Sequence, residues 1–306
     1  MLGWSHRRFV LYDSNVEDIA RDVADGCPMF PVLAREEDKT LDTVRRICRW
    51  LLREGADRDA TIVAVGGGLT TDIAGFVAAI YKRGVRCVYV PTTLLAMVDA
   101  AYGGKTGVNL DGFKNMVGVF RKPDKVIIRT QYLKTLPERE YVSGAVELVK
   151  TFLVTNPTLY RKAIEAVSSR SDLSGLIRKA ARTKRRIVWW DPEEKGSRRK
   201  LNLGHTYGHA IEWLQQQKGK PGRYSHGEAV AMGIVRAARL ALERHKTDEA
   251  FVNGLVEDFR RCGFPTELPY PEEELKMAID ADKKSKGGRV RFVFPVRTGQ
   301  VEIGKL

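Results

Sequence analysis

Three of the five histidines, His205, His209 and His226, fall in one short stretch of a 306-residue chain. GHTYGHAIE spaces His205 and His209 at i, i+4, on one helical face. That spacing is used to hold zinc. His226 opens the next helical segment at SHGEAV, across a loop. Glu147 lies on an earlier helical segment, with Lys150 one turn beyond it at i+3. Histidines and one carboxylate are ligands for a divalent ion with a position left open for a substrate oxygen. The same residues also fit a polar helix pair whose histidines are merely hydrogen-bonded.

A second chemistry lies at Gly66-Gly67-Gly68-Leu69-Thr70-Thr71-Asp72. A strand, then glycines, then a helix is where a dinucleotide pyrophosphate sits, because glycine lets backbone approach and the helix N-terminus supplies N–H groups. The run is not GxGxxG, since Thr stands at 71, and a tight turn that holds nothing is the other reading. Lys105 and Lys114 lie in two further glycine-bearing stretches, PTTLLAMVDAAYGGKTGVN and DGFKNMVGVF. They read as loops that wrap phosphate, or as ordinary loop lysines.

These residues need a frame. Strand signals at 9–15, 27–34, 61–65, 86–91 and 125–129 alternate with helical patterns at 16–25, 40–54 and 72–82. Asn15 is placed as an N-cap, Thr40 begins and Gly55 ends the helical run at 40–54, and two prolines weaken the strand at 27–34. This alternation predicts a parallel sheet with helices on its faces. From about residue 133 the pattern turns helical: LPEREYVSGAVELVKTFLV, NPTLYRKAIEAV, SGLIRKAARTKRRIVWW, GHAIEWLQQQ and HGEAVAMGIVRAARLALERH. A strand signal returns at VRFVFPV (290–296), and QQKGKPGRYS (216–225) reads as an exposed loop. The expected division is an α/β domain over 1–132 and a mainly α-helical domain over 133–306.

Composition narrows the classes. Apolar residues make up 43% and charged residues 29%, enough for a sizeable core and unlike a disordered chain. No apolar run approaches a membrane span. The four apolar residues from Phe9 to Tyr12 are too short for a signal core, so a cytoplasmic location is expected. Cys27, Cys48, Cys87 and Cys262 form no CxxC, which argues against a cysteine zinc site or a disulfide framework. The net charge of +14 suits an anionic partner. Its clusters, at 179–186, 198–200 and 283–291, lack the interleaved aromatics of a single-strand binder, and no nucleic-acid or membrane partner is expected.

Taken together, several motifs resemble the 3-dehydroquinate synthase family of sugar-phosphate cyclases. They are VGGGLTTDIAGFVAAIYKRG (65–84), PTTLLAMVDAAYGGKTGVNL (91–110), FKNMVGVF (113–120), LPEREYVSGAVELVK (136–150), LNLGHTYGHAIE (201–212), HGEAVAMG (226–233) and ADKKSKGGRVRFVFP (281–295). The resemblance spans most of the chain in the right order. It implies a Rossmann-like NAD-binding domain followed by a helical metal-binding domain. By position, Glu147, His205 and His226 resemble the ligands of Zn2+ or Co2+, and His209 resembles a substrate-contacting histidine. Arg83, Lys105, Lys114, Asn115, Lys150, Lys184, Arg198 and Asn202 match residues that grip substrate phosphate, carboxylate and hydroxyls, and Lys283 or Lys284 matches a further anion contact. Of these, Lys150, His209, Lys105, Arg198 and Asn202 are the implied catalytic set. Asp13, Asn15, Glu36 and Lys39 resemble the adenosine end of the NAD site. Gly66, Gly67, Gly68, Asp72, Thr92, Thr93 and Asp99 resemble its pyrophosphate and nicotinamide end, with Lys105 and Lys114 near the cofactor.

The implied reaction takes 3-deoxy-D-arabino-heptulosonate 7-phosphate to 3-dehydroquinate. It runs through oxidation of the C5 hydroxyl by NAD, loss of phosphate, return of the hydride, ring opening and aldol closure. The implied assembly is a homodimer, with both domains meeting around the substrate. The chain departs from the family at Thr71, where glycine is usual, at Ala100 and Ala101, where serines are usual, and in a shorter N-terminal region. Sister cyclases making 2-epi-5-epi-valiolone or 2-deoxy-scyllo-inosose are the nearest rivals, and intact GGKTGVN and KNMVGVF disfavour them. A metal- and NAD-dependent polyol dehydrogenase would release NADH and would not need Arg83, Lys105 and Lys114 for phosphate.

Overall fold

Apolar runs bounded by turn residues build the sheet of the first of two units, Met1–Leu136; the second is Pro137–Leu306. The computed structural model describes residues 7–111, 113–285 and 291–306, with the side chains of 282–285 outside that description.

In the first unit the order is β1 (Arg8–Asp13), α1 (Glu17–Ala24), β2 (Met29–Val32), α2 (Leu41–Arg53), β3 (Thr61–Gly66), α3 (Gly68–Ile80), β4 (Arg86–Pro91) and α4 (Leu94–Val98). A hairpin, β5 (Lys105–Leu110) and β6 (Phe113–Phe120), and the short β7 (Lys125–Val126) complete it. The sheet is parallel, in the order β2-β1-β3-β4-β7. Every residue of β3 is buried, as a parallel strand covered on both faces requires. Phe9, Leu11, Ile62, Ala64, Ile47, Leu51, Ile73 and Val77 form the centre of its core. β2 stands at the sheet edge, which is where a strand tolerates proline such as Pro31. Chain order reverses between β1 and β3, so Asp13 and Gly66 sit at the carboxyl ends of the two strands flanking the switch point. Open α/β sheets bind ligands at that place.

The glycine-lysine stretches read as loops are instead strands β5 and β6. The pairing sets Gly107 opposite Gly118, and a Cβ on Gly107 would stand 2.5 Å from the Val117 carbonyl oxygen. Glycine is needed there for close backbone approach. It also removes the β-branched pattern by which a strand is recognised.

The second unit runs α5 (Glu138–Leu153), α6 (Pro157–Ser168), α7 (Ser174–Trp190), α8 (His205–Gln217), α9 (His226–Glu243), α10 (Glu249–Arg261) and α11 (Glu272–Ser285). It ends in the antiparallel pair β8 (Arg291–Arg297) and β9 (Gln300–Lys305). α5 is buried continuously from Ser143 to Leu153 and forms the centre of this unit. Small residues let α9 press against it and against α8. A Cβ on Gly227 would lie 2.3 Å from the Ser143 carbonyl oxygen, and one on Gly233 would lie 2.1 Å from the Gly204 carbonyl oxygen. Among the described residues, no helix is long and apolar enough to cross a membrane.

Candidate functional site

Two histidines become the first residues of two helices for different local reasons. Gly204, at φ 81°, turns the chain into α8 at His205. Ser225 and Glu228 form a capping box that starts α9 at His226. Close packing of α9 on α5 and α8 then brings both rings to Glu147. Its Oε1 lies 4.0 Å from Nε2 of His205 and 3.9 Å from Nε2 of His226. Ligand atoms of Glu147, His205 and His226 all fall within 4.8 Å of one another.

Glu147 is 1% exposed, and its carboxylate oxygens accept no well-formed hydrogen bond among the described residues. Oε2 has an ion-pair contact with Lys150 Nζ at 2.6 Å. A buried carboxylate that has the Lys150 ion pair but no well-formed hydrogen bond among the described residues, with two imidazoles turned toward it, is a donor set that fits a divalent ion, and nitrogen with carboxylate oxygen suits zinc or cobalt. Burial pulls the His205 imidazole well below its usual titration range, and the charges of Lys150, His226 and His209 act in the same direction. At His226 burial acts downward too, but the Glu212 hydrogen bond and the charges of Glu212 and Glu147 outweigh it and raise the imidazole.

His209 extends the cluster without joining the triad. Its ring centroid is 5.3 Å from that of His205 and 6.5 Å from that of His226, and its side chain is exposed. Lys150, Lys184 and Arg198 are all buried within the second unit. The Arg198 backbone N–H donates to Asp191 Oδ2 at 2.9 Å, and its Nη1 donates to the Pro192 carbonyl at 2.7 Å. Asn202 Nδ2 donates to Glu194 Oε1, and Glu194 Oε2 is 3.8 Å from Arg198 Nε. Asp191, Glu194 and Glu212 were not singled out from sequence. The acidic run DPEE just before Arg198, and Glu212 at i+3 from His209, were the available signals. Lys283 and Lys284 lie on α11 with side chains outside the described residues.

In the first unit, Gly66, Gly67 and Gly68 lead from β3 into α3, whose N-cap, Gly67, contributes no side-chain cap. A Cβ on Gly66 would stand 2.9 Å from that of Asp13, and one on Gly67 would stand 3.1 Å from Thr93 Cγ2. This backbone cradle at a helix N-terminus suits a pyrophosphate. Asn15 donates from both its backbone N–H and Nδ2 to Asp13 Oδ1 at 2.9 Å. Thr92 follows β4, Thr93 caps α4 by accepting from the Ala96 N–H at 3.2 Å, and Asp99 ends that helix. Thr71 fits its buried place by donating its hydroxyl to the Gly68 carbonyl at 2.9 Å. Ala100 lies under the turn, 3.2 Å from a Cβ built on Gly68.

Lys39 is buried in this unit. Its Nζ donates to Asp72 Oδ2 and Asn115 Oδ1, both at 2.6 Å. Burial pushes the Asp72 carboxyl up, and the Lys39 ammonium opposes that shift. Glu36 joins the same network through Asn109, whose Nδ2 donates to Glu36 Oε1 at 2.8 Å. Arg83 is exposed in the turn after α3, at φ 70°, while Lys105 and Lys114 are exposed on β5 and β6.

Both halves of the chain are similar to one family of known proteins. Residues 29–143 match the family described as 3-dehydroquinate synthase N-terminal, and 144–285 match 3-dehydroquinate synthase C-terminal. Over 298 residues the chain is 42% identical to the 3-dehydroquinate synthase of Dictyoglomus thermophilum, covering 96% of this chain and 82% of that one. It is 43% identical over 285 residues to the 3-dehydroquinate synthase of Pyrococcus abyssi, covering 91% and 82%. Among solved structures, a Streptomyces hygroscopicus 2-epi-5-epi-valiolone synthase with NAD+ and Zn2+ bound matches with TM-score 0.88 and 25% identity, over 99% of this chain and 87% of that one. A 2-deoxy-scyllo-inosose synthase complexed with carbaglucose-6-phosphate, NAD+ and Co2+ matches with TM-score 0.87 and 27% identity, over 98% and 88%.

Proposed function

Because the chain belongs to the 3-dehydroquinate synthase family, we propose that it is a carbon–oxygen lyase. In this reading it converts 3-deoxy-D-arabino-heptulosonate 7-phosphate to 3-dehydroquinate and phosphate. Convergence of Glu147, His205 and His226 beside the buried Lys150 is the observation that carries the reading. Identities of 42–43% to 3-dehydroquinate synthases, against 25–27% to the two sister cyclases, favour it over those cyclases.

Glu147, His205 and His226 would hold a zinc or cobalt ion, and the cradle at Gly66–Gly68 would hold NAD. When bound, the ion polarises a substrate oxygen and NAD carries the hydride away and back. Lys150, fixed by Glu147, presents its ammonium to the oxygen on which negative charge develops. Arg198 and Asn202, held by the Asp191–Glu194 segment, orient substrate carboxylate and hydroxyls, together with Lys184 and His209. Arg83, Lys105, Lys114 and Asn115 supply cationic and amide groups for phosphate. The protein is taken as a cytoplasmic homodimer with a small anionic substrate and no nucleic-acid or membrane partner.

One assay tests this. With the heptulosonate phosphate and NAD in far less than stoichiometric amount, phosphate release should continue through many turnovers. No NADH absorbance should accumulate, and a chelator should stop the reaction. Stoichiometric NADH build-up would instead identify a dehydrogenase.

A further inference from the structure

A ligating imidazole has two nitrogens, and the partner of the nitrogen turned away from the ion sets which one keeps its lone pair. For His205 that partner is backbone: Nδ1 lies 3.3 Å from the Leu203 carbonyl oxygen. A carbonyl only accepts, so the contact requires hydrogen on Nδ1 and leaves Nε2 to face Glu147. For His226 the nitrogen turned away from Glu147 meets a side chain, with Nδ1 3.5 Å from Glu212 Oε2.

Glu212 sits seven residues after His205 on α8, within about 20° of the same helical face. It is 19% exposed, sheltered beside the ring it meets. An ionised carboxylate also only accepts. We infer that Glu212 is the positioning residue of the metal centre: it holds hydrogen on His226 Nδ1 and turns Nε2 toward Glu147. α8 thus supplies one ligand at its first residue and orients a ligand on α9 two turns later. The inference rests on the assignment of Glu147, His205 and His226 as metal ligands.

The test uses the full chain stripped of metal, with zinc and cobalt as probes. Glu212→Ala should weaken metal binding about 10–100-fold in competition with a chromophoric chelator. Glu212→Gln should recover part of that loss, since a carboxamide oxygen still accepts from Nδ1–H. Long-range proton–nitrogen NMR of the metal-free chain, above the imidazole titration range, supplies a readout that loss of packing would not move. His226 should be protonated on Nδ1 in the wild type and shift toward Nε2 in Glu212→Ala, while His205 keeps its tautomer. An unchanged metal affinity or an unchanged His226 tautomer in Glu212→Ala would overturn the inference. Should Glu212→Ala fail to fold, Glu212→Gln carries the same test: affinity below wild type supports the role, and wild-type affinity with loss of the Nδ1 tautomer refutes it. A wild-type chain that takes up no ion would overturn the ligand assignment itself.

Discussion

Lys150 and Glu147 form an ion pair with side chains 2% and 1% exposed, one helical turn apart on α5. Desolvation makes such a pair a poor source of stability, but removing one partner leaves the other charge buried alone. Lys150→Met should therefore lower the stability of the metal-free chain by about 3–5 kcal/mol. Urea unfolding checks this, and zinc should restore part of the loss by compensating Glu147. Turnover should collapse in this variant while NAD affinity, read by fluorescence titration, stays near wild type. Equal loss of NAD affinity would show that Lys150 serves the cofactor instead. His205 and His209 share a helical face, yet the structure gathers Glu147, His205 and His226 within ligand distance. The i, i+4 spacing alone points to His209; only the resemblance separated the two histidines beforehand.

Close helix packing rather than the site residues themselves sets the spacing of the centre. At Gly227 a Cβ would meet Ser143 backbone atoms at 2.3 and 2.4 Å, and backbone cannot move aside as a flexible side chain can. Gly227→Ala should push α9 from α5, cost about 1–3 kcal/mol in urea unfolding, and weaken zinc binding by displacing His226. Gly254, inside α10 with open space where a Cβ would go, is the control. Alanine there should raise stability by up to about 1 kcal/mol and leave zinc binding unchanged. A Gly227→Ala chain with wild-type zinc affinity would show that α9 does not set the ligand spacing. Several elements were plain beforehand. The helical run read from Thr40 is α2, with Thr40 accepting from the Thr43 N–H at 3.2 Å, whereas Asn15 does not cap α1: Val16 stands at that N-cap with no side-chain bond, and the Asn15 N–H donates to Asp13. The hairpin was not plain, because Gly107 and Gly118 are chosen for contact with facing backbone and leave no strand signature.

At the scale of the whole molecule, the metal triad lies within Pro137–Leu306, and the glycine cradle lies within Met1–Leu136. A ligand protects the unit that holds it. In hydrogen exchange, zinc alone should slow amides of α5, α8 and α9, and NAD alone should slow those of the β3–α3 turn. The reverse pattern would exchange the two assignments. The net charge of +14 adds a general attraction for anionic substrate and cofactor, so KM should rise with salt more than kcat falls.

Sequence alone was enough for the alternation of strands and helices, the change to helices in the second half, and the cluster of histidines. Periodicity, caps and turn residues are local, and local signals survive without a partner. The family resemblance pointed by position to Glu147, His205 and His226, the group that the structure brings within ligand distance. Tertiary structure decided what depends on contacts distant in the chain. It joined Glu147 to residues 58 and 79 positions later, set Glu212 behind His226, and buried Lys39 against Asp72 and Asn115. Such contacts arise from how closely helices and strands can approach. That distance is set by glycines such as Gly107, Gly227 and Gly233 against backbone far away in the chain, which no spacing along one segment can express.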